Sequence, residues 1–247
     1  MRILIAVTTL LFCNYSYSQK EGIFDEKDGV TRIKVELETD RKLGYLGTTS
    51  GKARRAYNKA VKLGQSDLPN AISHYLEAIE HDPYFVEAYD NVARLFRVIK
   101  EYDRAIEYYK KSLALFPEGI TAHQNLAVVY DRLKLYDKAI KEYEIIIELT
   151  PNNPEGYYGL GTIYLDSAET IEDLEKALYY SEIALDLYKR NPPNYIGDGY
   201  FLVGYIHYFL GNTERSNENF EMAKVKYMEN GMLSSWQKKQ DLIDGLK

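Results

Sequence analysis

The chain has 247 residues, 45% of them hydrophobic, with a formal charge of −6 and a mean hydropathy of −0.41. That is apolar material for one large core or two small ones, and the acidic balance argues against nucleic-acid binding, which needs a basic face to meet phosphates. Tyrosine is over-represented, at 24 residues; its large ring and polar tip suit half-buried seams and grooves.

In chain order, the first expectation is an export signal over residues 1–18. Arg2 supplies the positive end, residues 3–12 the apolar stretch, and Ser16-Tyr17-Ser18 a small-residue cleavage site before Gln19. A helix over that apolar stretch would be about 15 Å long, half of a ~30 Å hydrocarbon core, so a cleaved signal is favoured over a membrane anchor. The only cysteine, Cys13, lies inside it. Lipidation there is disfavoured, because the bulky Phe12 precedes it where a lipoprotein signal wants a small residue. No other stretch is apolar enough to span a bilayer. The expected address is periplasmic or extracellular.

Residues 19–50 form a polar leader with several glycines. Ile33, Val35 and Leu37 alternate with Lys34, Glu36 and Glu38, the period-two pattern of a strand without an obvious partner. The leader is read either as flexible or as an arm on the first helical unit.

From about Gly51 the period becomes helical. Ala71, Ala105 and Ala139 recur every 34 residues, and Pro83, Pro117 and Pro151 keep the same spacing. A repeat of that length predicts stacked helix pairs. Five units are expected, at about 51–83, 84–117, 118–151, 152–194 and 195–230. Tyr89, Val92, Ala93 and Phe96 mark the first helix of the second unit; Tyr102, Ala105, Ile106, Tyr109 and Leu113 mark its second helix. The fourth unit opens with Asn153-Pro154, an N-cap and a first-turn proline. Ala177 follows Ala139 by 38 residues, so about four are inserted, placed at 167–173. Residues 231–247 read as a capping helix, with Leu233, Trp236, Ile243 and Leu246 as its apolar stripe and Lys238, Lys239 and Asp241 toward water.

These features resemble the tetratricopeptide repeat family. The first helix carries an apolar-small pair (Val92-Ala93, Leu126-Ala127, Leu160-Gly161, Val203-Gly204), and the second carries an alanine, an aromatic four residues later, then proline. The resemblance spans about residues 52–230. It implies an all-α fold, a right-handed α-solenoid of antiparallel helix pairs with a C-terminal capping helix. It also implies a concave face, lined by the first helix of each pair, that holds a peptide or partner protein. On that face the register puts Asp90, Arg94 and Arg97, then Gln124, Val128 and Asp131, then Tyr158, Thr162 and Leu165, then Phe201, Tyr205 and Tyr208. Asn58, Asn91 and Asn125 recur at a position where some family members hold a ligand backbone. Tyr57, Val61 and Thr121 stand where the family's carboxylate clamp needs basic residues, so such a clamp is not expected. The groove reads as mixed-charge at one end and aromatic at the other, unless Phe201 and Tyr205 pack on the capping helix or the 191–199 loop.

Nothing in the sequence marks catalysis. His74, His81, His123 and His207 lack metal-ligand spacing, and His123 and His207 stand where other units have Tyr or Phe. Gly159-Leu160-Gly161 reads as close helix packing rather than a phosphate loop, and Glu172-Asp173 as helix-start charge. The expectation is an exported scaffold or assembly factor, not an enzyme, with no cofactor and no metal. Its partner would be a protein or peptide. The alternatives are an envelope-complex subunit using its convex face, and a helical repeat protein that binds a small molecule or sugar or acts as an enzyme.

Overall fold

The computed structural model describes residues 24–27, 30–33 and 47–246. The expected signal segment with Cys13, and residues 34–38 of the expected strand, lie outside them. Two strands are described, sharing only Ile33 with the expected one: β1 (Phe24–Lys27) and β2 (Val30–Ile33) pair antiparallel, with Phe24 opposite Ile33 and Lys27 opposite Val30.

Everything from Gly51 to Asp244 is helix and turn. The described residues form two compact bodies, one ending at Glu142 and one beginning at Tyr143. In the first, α1 (Gly51–Leu63) packs on α2 (Leu68–His81), α3 (Val86–Val98) on α4 (Tyr102–Leu115), and α5 (Ile120–Arg132) on α3 and α4. Helix α6 (Tyr136–Leu149) runs across the boundary. In the second, α7 (Pro154–Asp166) packs on α8 (Ile171–Arg190), α8 on α9 (Ile196–Phe209), α9 on α10 (Thr213–Glu229), and α10 on α11 (Leu233–Asp244). No described helix is long and apolar enough to cross a membrane.

Local chemistry sets the helix starts. The Ser50 hydroxyl accepts from the Ala53 amide at α1, and Asp67 does the same for Asn70 at α2. Asn153 caps α7 by accepting from the Glu155 amide at 3.0 Å, with Pro154 following. Thr170 and Asp173 close a reciprocal capping box at α8. The helix ends share another device. Lys100 and Lys134 adopt positive φ, 63° and 58°, at the turn position that Gly211 occupies after α9 with φ 76°. There the amide three residues past the helix reaches back to the carbonyl of Phe96, Tyr130 or His207, which satisfies an otherwise orphaned carbonyl.

Small residues let the helices approach. Ala71, Ala105, Ala139 and Ala177 are completely buried, as are Ala93 and Ala127. A Cβ on Gly159 would lie 2.2 Å from the Tyr143 ring, so that aromatic occupies the space a side chain would take. The insertion in the fourth unit is split: one extra residue lies in the α7–α8 turn, and the other three form an added turn at the start of α8. Trp236 packs beside the Tyr227 ring of α10, with centroids 6.1 Å apart. The expected faces of α11 are corrected at two positions: Lys239, expected toward water, is buried, and Leu233, expected on the apolar stripe, is 61% exposed.

Candidate functional site

In the first body α1, α3 and α5 are neighbours, through the Asn91–Tyr57 hydrogen bond and the packing of α3 on α5. A carbamoyl or guanidinium at the same helical position in successive units makes a ladder, because the repeat brings equivalent residues side by side. Asn58, Asn91, Arg94, Arg97, Gln124 and Asn125 are all half-buried. Asn91 Nδ2 donates to Tyr57 Oη at 3.0 Å and to the Glu87 carbonyl at 2.8 Å. Asn125 Nδ2 donates to the Thr121 carbonyl at 2.8 Å. Those bonds fix both side chains and leave Oδ1 of each as an acceptor with no partner among the described residues. An acceptor of that kind, repeated one unit apart, suits the N–H groups of an extended chain. Arg94 is close enough to the Tyr75 phenol for its charge to oppose the effect of burial, which still pushes that phenol up to about 12.

Asp90 and Asp131 are buried, each 8% exposed. The Asp131 carboxyl is raised to about 6 by burial, against the pull of Arg132. These two acids sit below the surface that the half-buried side chains form. Sequence reasoning missed Glu87. Its Oε1 accepts from the Gly47 amide at 2.8 Å, and burial raises its pKa. Thr48 donates to Asp82, and Arg54 Nη2 donates to the Thr48 carbonyl at 2.6 Å. The end of the leader is thereby held at the start of α3. An acid in the first turn was the only available signal, and it reads equally well as helix-start charge.

The second body differs from the aromatic groove that the register suggests. Phe201 is fully buried and Tyr205 nearly so. Their rings stack 5.6 Å apart in a core cluster that also holds Trp236 and Ile243 of the capping helix. Lys239 Nζ lies 4.5 Å from the Phe201 centroid and 3.0 Å from Asp198 Oδ1, which also accepts from Tyr227 Oη at 2.5 Å. Tyr208 is exposed, but its hydroxyl donates to the Leu246 carbonyl at 2.6 Å. Thr162 is buried and donates back to the carbonyls of Tyr158 and Gly159. Tyr158 is half-buried against the Tyr188 ring, 6.2 Å away. Glu155 Oε1 accepts from Tyr188 Oη at 3.0 Å and Tyr195 Oη at 3.1 Å. Burial raises the Glu155 carboxyl while those phenols work against it.

His123 has specific partners. His123 Nδ1 is 2.6 Å from Glu142 Oε2, and its Nε2 donates to the Pro117 carbonyl at 2.9 Å. Tyr89 Oη makes the equivalent bond to the Pro83 carbonyl at 3.2 Å, so the imidazole fills a tyrosine's place. Burial lowers its pKa, and the Glu142 and Pro117 bonds outweigh that, so the net shift is upward.

Two family models described as tetratricopeptide repeat match residues 60–120 and 100–163. No curated protein is significantly similar to the chain in sequence. Among solved structures, MamA from Desulfovibrio magneticus RS-1 superposes with a TM-score of 0.62 at 20% identity, covering 74% of this chain and 98% of that one. A tetratricopeptide repeat protein from Parabacteroides merdae superposes at 0.60 with 15% identity, covering 79% and 80%. A chain of the APC/C hetero-tetramer Cut9–Hcn1 superposes at 0.60 with 18% identity, covering 72% of this chain and 34% of that one.

Proposed function

From the premise that the chain belongs to the tetratricopeptide repeat family, we propose that it is an exported scaffold or assembly factor that holds a peptide or partner segment on α3 and α5. Protein binding is what this family's fold serves, and at this identity the solved structures speak for fold alone. The observation that carries the location is the pair of fixed asparagines, Asn91 and Asn125, with unpartnered Oδ1 acceptors beside Arg94 and Gln124. Phe201 and Tyr205 of α9 are left out of the site because both are buried in a core. The reading assigns no catalytic step.

The test is a crosslinking capture from the native envelope fraction, using tagged mature chain and an N91A/R94A/N125A variant. A partner held by the first and lost by the second, at equal melting temperature, supports the groove. A partner held equally by both moves binding off α3 and α5. Export belongs to the same proposal: the mass of the chain recovered outside the cytoplasm should correspond to a start at Gln19, and a full-length mass there would contradict it. A second reading, an envelope-complex subunit using its convex face, has one observation in its favour. Met222, Val225 and Met228 of α10 are exposed, at 40%, 42% and 56%.

A further inference from the structure

A cavity of about 350 Å³ opens between α8, α9 and α10, away from the residues assigned above. Its floor is Leu185, Val203 and His207, all at least nine-tenths buried. Its rim is exposed and charged, with Glu182 and Lys189 from α8 and Arg215 and Glu218 from α10. Acid and base are present on both walls, yet among the described residues none of these four side chains forms an ion pair. Unpaired surface charge alone is ordinary, because water solvates it.

The floor supplies an independent observation. His207 is 2% exposed, and buried polar groups are normally hydrogen-bonded. Its Nδ1 lies 3.5 Å from Asn212 Nδ2, at the limit of a hydrogen bond, and its Nε2 has no partner among the described residues. As the amide of Asn212 can only donate from Nδ2, the ring proton is assigned to Nε2. The imidazole therefore brings one unused N–H donor to an apolar floor. Glu182 and Arg215 act on that ring with opposite sign, so both flank it.

We propose that this cavity is a binding site for a small zwitterion, an α-amino acid with an apolar side chain. Arg215 and the His207 N–H receive the carboxylate, Glu182 receives the ammonium, and Leu185 and Val203 take the side chain. The size agrees: ligand pockets begin at roughly 300 Å³, which suits one small molecule rather than a peptide segment. The lining holds no phenyl, phenol or indole ring for a sugar to stack on.

The test is calorimetric titration of the whole chain with leucine, beside 4-methylpentanoate, which lacks the ammonium, and 3-methylbutylamine, which lacks the carboxylate. Leucine should bind, and each analogue should bind at least about ten-fold more weakly, since a charge-assisted bond is lost and its partner left unmatched. R215Q and E182Q alter exposed rim residues, so they should keep the melting temperature and weaken leucine by about ten-fold each. No heat with leucine at millimolar concentration overturns the proposal. Equal binding of all three ligands also overturns it, because only the apolar floor would then be recognised. Undiminished binding by both variants places the ligand elsewhere.

Discussion

At the scale of single residues, two positions show opposite uses of burial. Gly161 is a site of close approach: a Cβ there would lie 2.2 Å from Ser181 Oγ and 3.2 Å from the Ser181 amide nitrogen. The second contact is backbone and cannot rotate away. Gly161→Leu should therefore destabilise the chain by ~3 kcal/mol, the upper part of the overpacking range. A melting temperature that does not fall would refute this packing. Asp131 is a buried acid whose carboxyl titrates at about 6 because of its burial. Its folded pKa exceeds its unfolded one, so the folded state binds the proton more tightly. Stability is then greatest below the unfolded value and falls as pH rises from about 4 to about 6, by up to roughly 3 kcal/mol. Asp131→Asn should be more stable than the parent at pH 7, and no more stable at pH 4. Urea midpoints at the two pH values measure the difference; equal midpoints at pH 7 would mean the carboxylate is fully compensated.

At the scale of elements, the turns after α3 and α5 carry a cost that the sequence disguises. Lys100 and Lys134 hold positive φ where α9 ends in Gly211. A side chain in that region costs about 1–2 kcal/mol, against about 0.5–1 kcal/mol of extra chain entropy for glycine. Lys100→Gly and Lys134→Gly should each stabilise the protein by ~0.5–1 kcal/mol, read as a rise in urea midpoint with unchanged slope. A fall at both would mean the lysine side chains contribute contacts that outweigh the strain. Much of the element pattern was legible, because helix pairs that pack alike need alike residues: Ala71, Ala105 and Ala139 are buried at equal spacing. The insertion was legible both as a count and as a place, 167–173, but its division between turn and helix was not, since an added helical turn keeps the same face toward the core and leaves little mark on the pattern. The recurrent asparagines were visible for the same reason as the alanines. Glu87 was not, because its partner Gly47 is 40 residues away. Lys239 was misread as solvent-facing because a lysine on a polar face is solvated unless an acid waits beneath it, and Asp198 belongs to another helix.

At the scale of the whole molecule, the same first-helix position is used in two ways. On α3 and α5 it keeps half-buried polar groups that have unused acceptors. On α9 it is a core, closed by α11 through Trp236, Ile243 and the Lys239–Asp198 pair. Among the described residues α11 packs mainly against α10 and the core of α9, and a helix with so few neighbours has a correspondingly low free energy of opening. Trp236 is the only tryptophan and lies in α11 at the Tyr227 ring, so its emission reports the docking of this helix specifically. In urea, the Trp236 emission should shift to the red before far-ultraviolet dichroism shows loss of the remaining helices. Lys239→Ala should widen the gap, because it leaves Asp198 with the Tyr227 hydroxyl alone and uncovers the Phe201 ring. Trp236→Ala should cost ~3 kcal/mol of the docking itself. If emission and dichroism change together in the parent and in Lys239→Ala, α11 is cooperative with the helices it covers. The core of α9 would then open only when the whole body unfolds.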